Sequence, residues 1–316
     1  MSKGELELIR WLERSVVTGG ASQSGSPHTR VPIPVGDDMG CLTLPGGQSI
    51  LLGSDMLVDG THFDCGTHSL ADIAHKAVCC CLSDAAAMAV QPLAALVSLA
   101  IPRGMVYETG RALLEAMITV AGRFDCTIIG GDTTSWEGRL AIDVALLAVP
   151  WPDCPPVTRR GARPGDRLFV TGQLGGSRLG RHLTFVPRIP EARSLAEALG
   201  PDLHAMIDIS DGLALDLHRL CQASGCGATI REDSLQAVIS PDAHKAAQQD
   251  GRSALEHALS DGEDFELLFA VAKDAVPKLA ALNVDQHEIG EIVPETVQIQ
   301  STDGTLSPLP AEGYEH

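Results

Sequence analysis

Five prolines, Pro150, Pro152, Pro155, Pro156 and Pro164, crowd into fifteen residues near the middle of the chain. Each fixes φ and lacks a backbone N–H, so no helix or central strand can run through the stretch. The stretch is therefore the best domain boundary in the sequence. With 316 residues in all, each piece is long enough to bury a core of its own. Residues 1–150 read as an N-terminal domain, 151–165 as a Pro-rich linker and 166–316 as a C-terminal domain.

On the N-terminal side, an amphipathic helix over 4–17 places Leu8, Ile9, Leu12 and Val16 on one face. The Gly-, Ser-, Pro- and Thr-rich stretch 18–34 reads as a flexible loop. Apolar runs at 41–44, 50–53, 93–101, 127–129 and 140–149 read as strands, with helices near 69–90 and 106–124 between them. Beyond the prolines, a strand at 167–171 runs into a Gly-rich turn at 172–176. A helix near 192–199 and a strand near 205–207 follow. Leu213, Leu217, Leu220 and Cys221 have helical spacing and stop at Gly225, a C-terminal cap. A strand over 265–271 and a helix near 274–282 complete the outline. Alternating strands and helices argue for α/β or α+β architecture rather than a bundle.

Charge narrows the function. Asp and Glu number 41 against 23 Lys and Arg, a net charge of −18, and aromatic residues make up only 3 %. A nucleic-acid binder carries a basic face, often with stacking aromatics, and this chain offers neither. No apolar run approaches 18 residues and no basic-flanked apolar segment opens the chain, so the expectation is a cytoplasmic protein that does not span a membrane. The nine Cys include no CxxC pair; they read as small core residues in a reducing compartment rather than zinc ligands.

The carboxylates recur beside Gly, Ser or Thr: Gly36, Asp37 and Asp38; Gly53, Ser54 and Asp55; Gly131, Asp132 and Thr133; Asp208, Ser210, Asp211 and Gly212; Gly262, Glu263 and Asp264. Asp84 sits in a helical run with Cys80, Cys81, Ala87 and Met88 on its face. A lone Gly-Asp pair marks a turn, and Ser210 or Asp211 suits a helix cap. As a set with no obvious Lys or Arg partners they mean more. Two carboxylates about 4 Å apart repel by roughly 4 kcal/mol at an effective dielectric near 20. Divalent cations relieve that repulsion, and hard oxygen ligands suit Mg²⁺, which brings phosphates with it. The usual phosphate motifs, GxxxxGK[ST] and GxGxxG, are absent. Nucleotide would rest on carboxylate-held metal, backbone amides and a few Arg, of which Arg159 and Arg160 are candidates.

Taken in order, GDD, SDMLVDGTHF, HKAVCCCLSDAAAM, IIGGDTT, LFVTGQLGGS, IDISDGLALDL and LSDGEDFEL resemble the thiamine-monophosphate kinase family of the aminoimidazole ribonucleotide synthetase-like superfamily. The resemblance runs from about residue 3 to the C-terminus. It implies an N-terminal α/β domain that dimerises through its strands, a C-terminal α+β domain, and ATP with several Mg²⁺ ions in the cleft between them. It implies metal ligands at Asp38, Ser54, Asp55, Asp84, Asp132, Asp208 and Asp211, with Asp55, Asp84, Asp132, Asp208 and Asp211 serving catalysis. Gly131, Asp132, Arg159 and Ser210 match nucleotide-contacting positions. His62 and Glu263 match positions that contact thiamine monophosphate.

The implied reaction moves the γ-phosphoryl of ATP onto thiamine monophosphate. A phosphate monoester is already largely anionic at pH 7, so no protein base is needed, and His62 reads as a positioning donor. Two places depart from the family pattern. Ala311 stands where the family has a Trp, and Thr184 and Phe185 replace an Arg-Pro pair. Both bear on the acceptor side, which leaves a different phosphorylated acceptor, or a silent nucleotide-binding scaffold, as alternatives.

Overall fold

The computed structural model describes residues 30–314 together with Leu8, Trp11, Leu12 and Ser15. Most of the expected 4–17 helix and 18–34 loop therefore lies outside the described residues. The chain divides into two units with separate interiors. Among the described residues, one unit comprises those through Ala85 and Val90–Trp151; the other comprises Ala86–Ala89 and those from Pro152 to Tyr314. Among the described residues, no helix is long and apolar enough to cross a membrane.

In the first unit, β1 (Arg30–Ile33), β2 (Gly40–Thr43), β3 (Ser49–Val58), β4 (Val90–Pro102), β5 (Thr127–Trp136) and β6 (Ala141–Pro150) form one sheet in the order β1-β2-β3-β6-β4-β5. All neighbours are antiparallel except β4 and β5. That parallel pair is joined by helix α2 (Tyr107–Gly122), and α1 (Leu70–Ala87) connects β3 to β4. Strict alternation explains the layering. Leu51 and Leu57 of β3, Val97 and Leu99 of β4, and Ile142, Val144, Leu146 and Ala148 of β6 are buried. The small Ala- and Cys-rich face of α1 suits close packing, with Ile73, Ala77, Cys81 and Ala85 fully enclosed. The opposite sheet face leaves Leu52, Met56 and Leu96 44 %, 62 % and 46 % exposed.

Three expectations need correction. Arg30–Ile33 is not loop: it pairs antiparallel with β2, because Val31 and Ile33 suit a strand and Pro32 is tolerated on an edge. Strand β3 runs past Gly53 through Asp55 to Val58, and β5 runs past Ile129 through Gly131 and Asp132 to Trp136. Their polar halves carry no apolar signal. Ladder bonds to the long apolar strands β6 and β4 hold them extended.

The second unit is built on β7 (Arg167–Thr171), β8 (Leu203–Asp208), β9 (Gly227–Arg231), β10 (Leu267–Val271), β11 (Gln286–Val293), β12 (Val297–Gln300) and β13 (Leu306–Pro308), in the order β13-β12-β9-β11-β7-β10-β8. Only β9 and β12 are parallel. Helices α3 (Ile189–Leu199), α4 (Leu213–Ser224), α5 (Pro241–Asp250) and α6 (Ala254–Ser260) accompany the sheet. Leu213, Leu217, Leu220 and Cys221 of α4 join Leu168, Val170, Ile207, Leu268 and Ile289 in one core. The helix expected at 274–282 is a 3-10 turn followed by the single turn Val276–Leu279, since Pro277 tolerates only a helix start.

Candidate active site

In the first unit the acidic residues gather at the C-terminal end of α1. Asp84 lies in its last turn, where no basic residue offsets the negative end of the helix dipole. A carboxylate oxygen of Asp38, from the turn before β2, lies within 4.8 Å of one on Asp84. Two such charges repel by about 3–4 kcal/mol at an effective dielectric near 20, so the pair favours a cation. Asp55 faces the same helix. Cys81, fully buried and donating its S–H to Val144 O at 2.9 Å, has its thiol pushed well up by burial and then by Asp55 and Asp84. These carboxylates are hard oxygen donors, the set that Mg²⁺ prefers.

His62 follows β3. Its Nδ1 accepts the Val58 N–H at 2.9 Å, which leaves Nε2 to carry the proton of the neutral ring. Its carbonyl accepts from Lys76 Nζ at 2.6 Å, a Lys side chain enclosed in the α1 layer. A neutral His62 ring therefore offers Nε2–H as its donor.

Two residues sit apart from this group. Ser54 alternates with Asp55 along β3, so its hydroxyl is on the other face, where it donates to Asp143 Oδ1 at 3.1 Å. The expected side-chain help of Ser54 to a metal beside Asp55 does not match this placement. Asp132 is exposed on the sheet edge, in register with Ser98 and, through β6, with Asp143; its Oδ1 accepts the Thr133 N–H at 2.8 Å. Gly131 before it has φ +152°, and a Cβ there would lie 1.7 Å from Val97 O, so only Gly fits.

In the second unit, Asp208 ends β8 and is buried. The segment after it is clamped from two sides. Ser210 O accepts the Glu263 N–H at 2.6 Å, and Asp211 O accepts the Tyr314 N–H at 2.7 Å. Glu263 is buried and held at φ +55°, an unusual state for a non-glycine residue. The expectation that the carboxylates lack cationic partners fails at Asp211, whose Oδ2 lies 2.5 Å from Arg219 Nη2. Arg219 sits two turns into α4 and reaches back to Asp211, which precedes the helix. It also pairs with Asp216 at 2.7 Å, and burial pushes the Asp216 carboxyl up to about 7. Arg159 bears electrostatically on Asp216 and Arg219, which puts the linker Arg beside this cluster. Arg160 is exposed.

Other residues escaped sequence reasoning. Asp264, buried, accepts both the Gly175 N–H at 2.9 Å and Arg181 Nη2 at 2.7 Å, and also takes the Ser177 hydroxyl. Glu266 receives a two-pronged contact from Arg188 at 2.7 and 2.5 Å. Arg178 lies over the Tyr314 ring, 4.7 Å from its centroid. The only signal for these was the acidic run from Glu263 to Glu266, whose partners are some 80 residues away. Phe185, one of the two departures near His182, stacks on Phe265 at 3.9 Å. Ala311 is exposed.

The two units have the folds of AIR synthase related proteins. Residues 36–149 match the AIR synthase related protein, N-terminal domain, and residues 171–300 match the corresponding C-terminal domain. A thiamine-monophosphate kinase of Rhodopirellula baltica is 40 % identical over 276 residues, covering 84 % of this chain and 85 % of the relative. The Escherichia coli (strain K12) thiamine-monophosphate kinase is 33 % identical and covers 100 % of this chain and 99 % of its own length. A solved structure described as AaThiL complexed with AMPPCP and TMP superposes with a TM-score of 0.80 at 26 % identity, covering 99 % of this chain and 96 % of that one. The chain belongs to the thiamine-monophosphate kinase family.

Proposed function

We propose that the chain transfers the γ-phosphoryl group of ATP to the phosphate of thiamine monophosphate, giving thiamine diphosphate and ADP. The observation that carries this reading is the approach of Asp38 and Asp84 to within 4.8 Å at the negative end of α1, in a chain of this family. Asp38, Asp55, Asp84, Asp132, Asp208 and Asp211 are the proposed Mg²⁺ ligands. When bound, Mg²⁺ neutralises phosphate charge and so lets two anions approach. The chain's own part is positioning. Gly131, Ser210 and Arg159 contact the nucleotide, His62 donates through Nε2 to the acceptor, and Glu263 orients it. No general base is required, because the attacking phosphate oxygen is already anionic.

We also propose a homodimer formed through the exposed apolar face of the first sheet, where Leu52, Met56 and Leu96 stand uncovered. The nine free cysteines fit a cytoplasmic enzyme.

The test is an acceptor screen with ATP and Mg²⁺, comparing thiamine monophosphate, thiamine and hydroxymethylpyrimidine phosphate. Thiamine diphosphate formed from the first alone is the expected result. No turnover of it with Mg²⁺ or Mn²⁺, or turnover of another acceptor in its place, refutes the assignment.

A further inference from the structure

Helix α4 ends in a Schellman turn. Gly225 takes φ +68°, its N–H donates to Gln222 O at 3.3 Å, and the Cys226 N–H donates to Cys221 O at 3.0 Å. These are the two bonds that define the motif, and it presses the side chain after the glycine against the one at the start of the last turn. In most helices that contact is between apolar residues. Here both residues are Cys, and each thiol bears on the titration of the other. Cys221 is only 2 % exposed within the second unit's core, whereas Cys226 is half-buried and packs on that core from outside. Cys226 keeps part of its surface open, and Cys221 is enclosed.

We propose that Cys221 and Cys226 form a redox modification site in which a reversible disulfide closes across the end of α4. The chemistry is thiol–disulfide exchange with a small-molecule disulfide of the glutathione class. The Cys226 thiolate attacks one sulfur of that disulfide, forming a mixed disulfide and expelling one thiolate. The Cys221 thiol then loses its proton to solvent and attacks the Cys226 sulfur. The second small thiolate leaves, and both leaving thiolates are protonated. The protein pair has given up two electrons and the small disulfide has been reduced to two thiols. The neighbouring Cys221 thiol holds Cys226 below the usual thiol range, while Cys226 and then burial push Cys221 up, so Cys226 attacks first.

The motif also explains why closure costs little backbone movement. A disulfide needs Cα atoms about 4.4–6.8 Å apart, and the 6→1 bond already pins these two main-chain segments together. The site adjoins the linker: Ser224 Oγ, between the two Cys in sequence, accepts the Gly161 and Ala162 N–H groups at 3.0 and 3.1 Å and donates to Arg159 O at 2.9 Å.

The experiment uses the full native chain, equilibrated with mixtures of oxidised and reduced glutathione, then quenched by alkylation and cut with trypsin. Cleavage after Arg219 and Arg231 releases both Cys in one peptide, 220–231. The expected product is that peptide unalkylated and two hydrogens lighter, restored to the doubly alkylated form by dithiothreitol. Exposed Cys65 takes up glutathione as the internal control of reactivity. Cys221→Ser is expected to trap glutathione on Cys226, and Cys226→Ser to leave Cys221 unmodified. A peptide that stays fully alkylated while Cys65 is modified overturns the proposal. So does a Cys226–glutathione adduct that persists in the wild-type chain.

Discussion

Replacing Asp264 with Ala tests the polar anchor beneath Glu263. The Asp264 side chain is 1 % exposed and accepts from Gly175 N–H, the Ser177 hydroxyl and Arg181 Nη2. Breaking a buried ion pair by removing one partner costs about 3–5 kcal/mol, because the remaining charge is left without compensation. Arg181 is 25 % exposed and recovers some hydration, while the stranded Gly175 N–H and Ser177 hydroxyl add roughly 1–3 kcal/mol. The net expectation for Asp264→Ala is a loss of about 3–5 kcal/mol. Asp264→Asn keeps an acceptor oxygen and loses about 1.5–3 kcal/mol.

A double-mutant cycle with Arg181→Met isolates the pair, and its coupling energy is expected at about 1–3 kcal/mol. Urea unfolding followed by far-UV circular dichroism reads the stability. Steady-state kinetics read the site, because Asp264 lies between Glu263 and Phe265, both at positive φ. Relaxing that segment moves Glu263, so KM for the acceptor is expected to rise more than KM for ATP. A loss below about 1 kcal/mol for Asp264→Ala, or strict additivity with Arg181→Met, would falsify the view that this contact holds the segment in place.

Other expectations follow from the same structure. Asp84→Asn keeps shape while removing charge at the end of α1; the variant should unfold at or above the wild-type temperature yet lose at least about 10²-fold in kcat, and full activity at saturating Mg²⁺ would remove Asp84 from the ligand set. Burial pushes the carboxyls of Asp216 and Asp264 up to about 7 each, against Arg219 and Arg181, which pull them down. Their unfolded values lie near 4, so the folded chain holds these protons more tightly; the stability they contribute is full below about pH 4 and falls as pH rises to about 7. The urea midpoint of Asp264→Asn should therefore drop less than that of the wild type between about pH 5 and pH 8. Met56→Glu places a charge on the exposed sheet face and is expected to convert the proposed dimer to monomer in light scattering, whereas an unchanged mass would locate any interface elsewhere.

Much of this architecture was legible in the residues. Apolar periodicity marked helices α1 and α2, and Gly225 marked the end of α4, because caps and period-3.6 faces are local signals. Strand ends were harder to see. The polar stretches around Asp55 and Asp132 are extended only because β6 and β4 supply the ladder, and no residue within them announces that. Ser54 shows the consequence for the site. Read as a motif, Ser54 and Asp55 belong together; on a ten-residue strand they point to opposite faces.

By itself the sequence determined the chemistry available: an acidic, aromatic-poor chain with its carboxylates spaced among glycines and no basic patch, suited to metals and phosphates. The proline cluster at 150–164 also pointed to a division of the chain there, since a residue without an N–H cannot donate in a ladder. Only the tertiary structure decided which charges meet. Asp84 finds Asp38 from 46 positions away in the chain, Asp211 turns out to be matched by Arg219, and Asp264 is held by an Arg 83 residues earlier. Electrostatic energy depends on distance through space and on burial, and neither is written in spacing along the chain.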